Sequence, residues 1–164
     1  MSIEPEASEF RVEKNRSWAM LTLSGGETVH GCFFVAGASA RSSGPERVCD
    51  VLNAEPGFFP FEVHDDAGAR TVLYNRGQIV VVAVEDREAC RDPGYDIATR
   101  RNVLVRLSTG QRVVGTVRVY RPEGRDRLSD WARQADQFRY VETLDATLIV
   151  NVAHVIAVSE ATES

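Results

Sequence analysis

Lysine is nearly absent: Lys14 stands alone against eighteen arginines. That bias reads first as a GC-rich, bacterial coding background, so the choice of Arg over Lys carries no functional message by itself. Cysteine is scarce too. Cys32, Cys49 and Cys90 form no CxxC pair and have no His partner at ligand spacing. An odd count without that spacing gives neither a disulfide framework nor a zinc signature, and it implies reduced thiols in a cytoplasmic setting. No apolar run reaches the roughly 18–20 residues of a membrane helix. Residues 1–17 carry Glu4, Glu6, Glu9 and Glu13 with no apolar stretch, so neither membrane insertion nor a secretory leader is expected. Hydrophobic (43%) and charged (26%) shares are those of ordinary globular chains, which excludes disorder and coiled coil.

A net charge of −5 argues against indiscriminate affinity for nucleic acid. The charge is divided unevenly, however. Residues 101–158 hold nine of the eighteen arginines and are net positive, while the stretches before and after are acidic.

What is present is an internal match. Leu23-Ser24-Gly25-Gly26 through Gly31 lies over Leu107-Ser108-Thr109-Gly110 through Gly115. Further on, Arg47 and Asp50 lie over Arg127 and Asp130, and Phe58 over Phe138. Thr71–Asn75 then lies over Thr147–Asn151, and Ile79-Val80 over Val155-Ile156. The offset shrinks from 84 to 80 to 76 in order, as expected of one unit duplicated and then shortened in two loops of the second copy.

Each copy alternates apolar and polar residues over short stretches, the period of half-buried strands. Strands are expected at Ala19–Leu23, Val29–Val35, Phe58–Val63, Thr71–Tyr74 and Ile79–Val84. Their counterparts are Val103–Leu107, Val113–Tyr120, Phe138–Thr143, Thr147–Val150 and Val155–Val158. Gly31 and Gly115 fall inside strands, where glycine marks a bend or a close approach. Pro45–Leu52 and Gly124–Ala132 are expected as polar turns leading into a short helical or coiled stretch. The reading is all-β: two tandem five-stranded small barrels packed as a pseudo-symmetric pair. Residues 1–17 form an N-terminal extension, 18–84 the first barrel, 85–101 a charged linker, 102–158 the Arg-rich second barrel and 159–164 a tail.

The motif Leu21-Thr22-Leu23-Ser24-Gly25-Gly26…Gly31 resembles the first motif of the Sm-like fold, an SH3-like small barrel. So does Val105-Arg106-Leu107-Ser108-Thr109-Gly110…Gly115. Asn75-Arg76-Gly77-Gln78-Ile79-Val80-Val81 is similar to the second Sm-like motif, and Asn151-Val152-Ala153-His154-Val155-Ile156 matches it more loosely. The resemblance implies that the turn before the last strand holds a base of single-stranded RNA, through Asn75, Arg76, Gly77, Asn151 and His154. It also implies assembly into rings of one-barrel chains. This chain departs by carrying two units, an acidic first unit and the inserted stretch Ala36–Glu55.

Chemistry-bearing residues are few. His30 and Cys32 share a strand face, but the second copy has Val114 and Thr116 there, and a catalytic pair is not expected from these or from Cys49, Cys90, His64 or His154. Arg47/Asp50 and Arg127/Asp130 sit at helical i, i+3 spacing and read as structural locks. Asn75 and Asn151 read as turn formers, and His154, opposite Gln78, as a turn bond. Arg118, Arg121, Arg125, Arg127, Arg133 and Arg139 cluster within 22 residues beside Trp131, a composition common at protein interfaces. Arg121-Pro122-Glu123-Gly124-Arg125 has the RxxxR spacing of PilZ-type cyclic-dinucleotide binders, without their downstream partner motif. The sequence therefore favours a non-enzymatic adaptor or scaffold that needs no cofactor or metal. It would bind a partner protein or itself through Arg118, Arg121, Arg125, Arg127, Trp131 and Arg133. Nucleic-acid binding is the alternative, and cyclic-dinucleotide sensing ranks below it.

Overall fold

The computed structural model describes residues 14–37, 44–120, 124 and 126–161. Strands β1 (Lys14–Leu23), β2 (Thr28–Ala36), β3 (Phe58–Asp65), β4 (Gly68–Asn75) and β5 (Ile79–Val84) come from the first half. Strands β6 (Thr99–Leu107), β7 (Arg112–Val119), β8 (Phe138–Glu142), β9 (Thr147–Asn151) and β10 (Val155–Glu160) come from the second. Helix α1 (Val48–Ala54) follows β2, and α2 (Leu128–Ala132) follows β7. β1 begins at Lys14 and β6 at Thr99, so regular structure reaches into the expected extension and linker. No helix among the described residues is long and apolar enough to cross a membrane.

All ten strands form one antiparallel sheet in the order β10-β6-β7-β8-β9-β5-β1-β2-β3-β4. The fold is all-β, but the sheet does not close, contrary to the expectation of closed barrels. The reason is local: β5 has β1 on one side and β9 on the other, so neither of its edges is left for β4. The halves follow one order, fifth strand first, and join edge to edge through β9 and β5.

The turns explain the hairpins. Gly26 and Gly110 both lie at φ 89°, the left-handed region that glycine enters without a Cβ clash. Gly31 and Gly115 do different work. A Cβ on Gly31 would lie 2.0 Å from the Glu62 carbonyl oxygen, and one on Gly115 would lie 2.5 Å from that of Glu142. Each glycine lets the third strand of its half cross close against the second.

Two cores lie along the sheet, and each borrows from the other half. Leu21, Phe33, Phe59, Phe61, Val48, Leu52 and Ile79 pack with Phe138 and Ile149. Val103, Val105, Leu107, Val117, Trp131 and Val141 pack with Val80 and Val81. The apolar run of β5 is buried on both faces for this reason.

Helix α1 is anchored from both halves. Glu88, 1% exposed, accepts hydrogen bonds from the Val48 and Cys49 amides (2.9 and 3.0 Å) and from the Tyr140 hydroxyl (3.0 Å). Burial pushes its carboxyl upward against the opposing pull of these donors. Asn53 imitates a neighbouring strand: its side chain donates to the Phe138 carbonyl and accepts from the Phe138 amide, both at 2.9 Å.

Candidate assembly interface

The junction between the halves is built from the two turn motifs and two strands. β5 and β9 pair with Val81 opposite Val150, Val82 opposite Ile149, Ala83 opposite Leu148 and Val84 opposite Thr147. At one end Asn151, fully buried, donates to the Ile79 carbonyl at 2.8 Å and the Arg76 carbonyl at 3.3 Å. Its oxygen accepts from the Ala153 amide and from Gln137. The His154 Nε2–H donates to the Gly77 carbonyl at 2.7 Å while Nδ1 accepts from the Ser108 hydroxyl at 2.8 Å.

Asn75, Arg76, Gly77, Asn151 and His154 are therefore brought together, as a shared base-binding turn would require. Many of their polar groups, however, are engaged within the chain. Arg76 is 6% exposed, and its guanidinium donates to the carbonyls of Leu52, Phe58 and Val51 at 2.7–3.1 Å. It caps the C-terminal end of α1, where a cation meets the negative end of the helix dipole. The Asn75 oxygen accepts from the Gly77 amide at 2.9 Å, fixing the turn.

Within the Arg/Trp segment, Trp131, Arg118 and Arg139 are engaged inside the chain, whereas Arg127 and Arg133 stand at the surface. Trp131 is 3% exposed and plugs the second core. Arg139 lies over its ring and donates to the carbonyls of Trp131, Gln134 and Asp136. Arg118 stacks on Tyr95 at 3.6 Å, donates to its carbonyl and stands 3.5 Å from Glu142. Arg127 and Arg133 are exposed and flank Asp130 at 3.5 and 3.9 Å. Arg121 and Arg125 lie outside the described residues. Asp50 and Asp130 each accept the backbone N–H of the Arg three residues earlier, at 2.9 and 3.0 Å, so Arg47/Asp50 and Arg127/Asp130 close the first turns of α1 and α2. Arg47 additionally pairs with Asp92. A polar cavity of about 220 Å³ lies beside this pair, lined by Arg47, Asp92, Arg118, Tyr120 and Glu142, with its charges matched across it.

Among the described residues no thiol hydrogen-bonds an imidazole. Cys49 donates toward the Phe138 carbonyl, and burial pushes its thiol far above the ordinary range. Cys90 is exposed with its Sγ on the Arg87 carbonyl. His30 stacks on Trp18 and stands 3.6 Å from Glu85. Cys32, Glu62 and His64 do come together on the first half, as described below.

The outer edges decide the reading. Among the described residues, β4 pairs only with β3, and β10 only with β6. Residues on these edges, and Phe58 beside β4 on β3, are the sequence counterparts of residues buried around the junction. Leu73 is 64% exposed, and its counterpart Ile149 is 0% exposed. Ile156 is 61% exposed against 0% for Val80, and Phe58 60% against 1% for Phe138. No protein-family model matches the chain, and no curated protein or solved structure matches it either. The functional reading therefore rests on the chain's own geometry. Sequence reasoning missed Leu73 and Ile156, while the adjacent Phe58 and Phe59 already require one ring to face outward or into a contact between the halves. The signal available was the match of Leu73, Ile156 and Phe58 to apolar residues, but burial of only one member of each pair appears only once the β5–β9 junction is seen.

Proposed function

We propose that the protein is a non-enzymatic scaffold of two tandem five-stranded units, Sm-like in strand order, that adds chains head to tail by pairing β4 of one with β10 of the next. The observation that carries this is the β5–β9 junction, which buries in one chain what the two outer edges expose. Transferring its register places Tyr74 opposite Ala157, Leu73 opposite Val158, Val72 opposite Ser159 and Thr71 opposite Glu160 of the next chain. An unpaired, apolar strand edge is a template for strand addition. Two unlike edges that fit one another make a heterologous contact, which closes into a ring or continues as a filament. Burying Leu73, Phe58 and Ile156 contributes about 2 kcal/mol each, set against the cost of association. Helix α2 would lie on β3 of the next chain as α1 lies on β8, with Arg133 at the position of Asn53 and Phe58 at that of Phe138.

The self-association half of the sequence reading is thus kept, and its surface moves from the Arg/Trp segment to the sheet edges. The test is the mass of the chain by light scattering. Whole multiples of 18.1 kDa, two or more, support it. A single chain at every concentration overturns it.

A further inference from the structure

The outward face of β1, β2 and β3 holds a cluster that strand addition does not use. The ladder sets Trp18 opposite Cys32 and Cys32 opposite Glu62, and His64, two residues beyond Glu62, shares its face. Three donors converge on one carboxylate oxygen. Glu62 Oε1 lies 2.6 Å from His64 Nε2, 3.6 Å from Cys32 Sγ and 3.1 Å from Arg16 Nε. Trp18 lies edge-on to the His64 ring at 4.6 Å, holding it over the cluster. Cys32 is fully buried and Glu62 and His64 are partly so, which sets them apart from a solvated ion pair.

We propose that Cys32, Glu62 and His64 form a binding site for a divalent transition metal of borderline softness, Zn²⁺ above all. Thiolate, imidazole and carboxylate together are the donor set such an ion takes. The ligand atoms already lie within 4.8 Å of one another. Two acidic hydrogens, Sγ–H and Nε2–H, point at one oxygen in the metal-free form, and a cation at their meeting point replaces both contacts. Binding releases the thiol proton to solvent, and His64 meets the ion through Nε2 with its ring hydrogen on Nδ1. The thiolate and the carboxylate then balance the two positive charges of the ion. Arg16, 3.4 Å from Oε2, holds the carboxylate from outside the ligand shell, the kind of outer partner that orients metal ligands. Burial pushes the Cys32 thiol up. The fourth position opens on the solvent side of His64, whose side chain is 32% exposed.

The second half supplies an internal control. Thr116 stands opposite Glu142 as Cys32 stands opposite Glu62, and the position matching His64 is Leu144, which is fully exposed. One ion per chain follows.

The experiment is a Co²⁺ titration of the full chain carrying Cys90→Ser, which removes the exposed thiol. The expected result is a thiolate-to-cobalt charge-transfer band saturating at one ion per chain and displaced by Zn²⁺. Cys32→Ser abolishes the band. His64→Ala, altered at a partly exposed position, stays folded by circular dichroism and loses the one-to-one saturation. It also loses the rise in thermal midpoint that Zn²⁺ gives the parent. No band in a molar excess of Co²⁺, or the same band and thermal shift in His64→Ala, overturns the site.

Discussion

Leu73→Glu and Ile156→Glu each reduce the assembly to single chains, and mixing the two restores a one-to-one dimer that grows no further. Leu73→Glu blocks the β4 edge and leaves β10 intact, and Ile156→Glu does the reverse. The mixture therefore contains one usable contact. Both residues are exposed in the single chain, so each variant folds. Each substitution removes about 2 kcal/mol of apolar burial and places a carboxylate against an apolar surface, a further penalty. At 1.4 kcal/mol per decade, association weakens by about 100-fold or more. Light scattering of each variant alone and of the mixture reads the result. A symmetric contact, β4 on β4 or β10 on β10, gives another pattern: one variant stays dimeric alone, and mixing adds nothing.

The second large effect is on stability. Gly31→Ala costs about 3 kcal/mol or more, because the new Cβ meets a backbone oxygen and the Phe61 ring together, at 2.0 and 2.7 Å. Gly115→Ala, with its oxygen at 2.5 Å, costs less. Gly25→Ala has open space around it and changes stability by no more than about 0.5 kcal/mol. Urea unfolding of the three variants gives the order. If Gly31→Ala were as stable as Gly25→Ala, the close crossing of β2 and β3 would be wrong.

Much of the fold is legible in the sequence because it depends on local signals. Alternation locates the strands, and β2 and β5 lie within a residue or so of their expected bounds. Gly26 and Gly110 mark the hairpins, and the i, i+3 spacing of Arg47/Asp50 and Arg127/Asp130 marks the starts of the helices. Closure of the sheet is not legible in this way. Strand pattern says which face each residue takes but not which strand lies alongside, and β5 takes β9 with Val84 opposite Thr147, 63 residues further along the chain. The arginines mislead for a related reason. Arg is counted as a surface charge, yet Arg76 and Arg139 are buried and each donates to three carbonyls that only the folded chain brings near. Trp131 reads equally as plug and as contact until its neighbours in the second core are known. The Cys32, Glu62 and His64 cluster has no spacing signature, because ladder register rather than sequence separation assembles it.

The register of strand addition can be read directly by cross-linking. In a Cys90→Ser chain, Leu73→Cys and Val158→Cys introduced together place two thiols opposite one another between neighbouring chains. The native Cys32 and Cys49 are buried. Mild oxidation followed by non-reducing electrophoresis should give a ladder of covalent oligomers. Moving the second thiol one residue, to Ser159→Cys, turns it to the other face and should remove the ladder. Equal cross-linking at both positions, or none at either, would contradict the proposed pairing of β4 with β10.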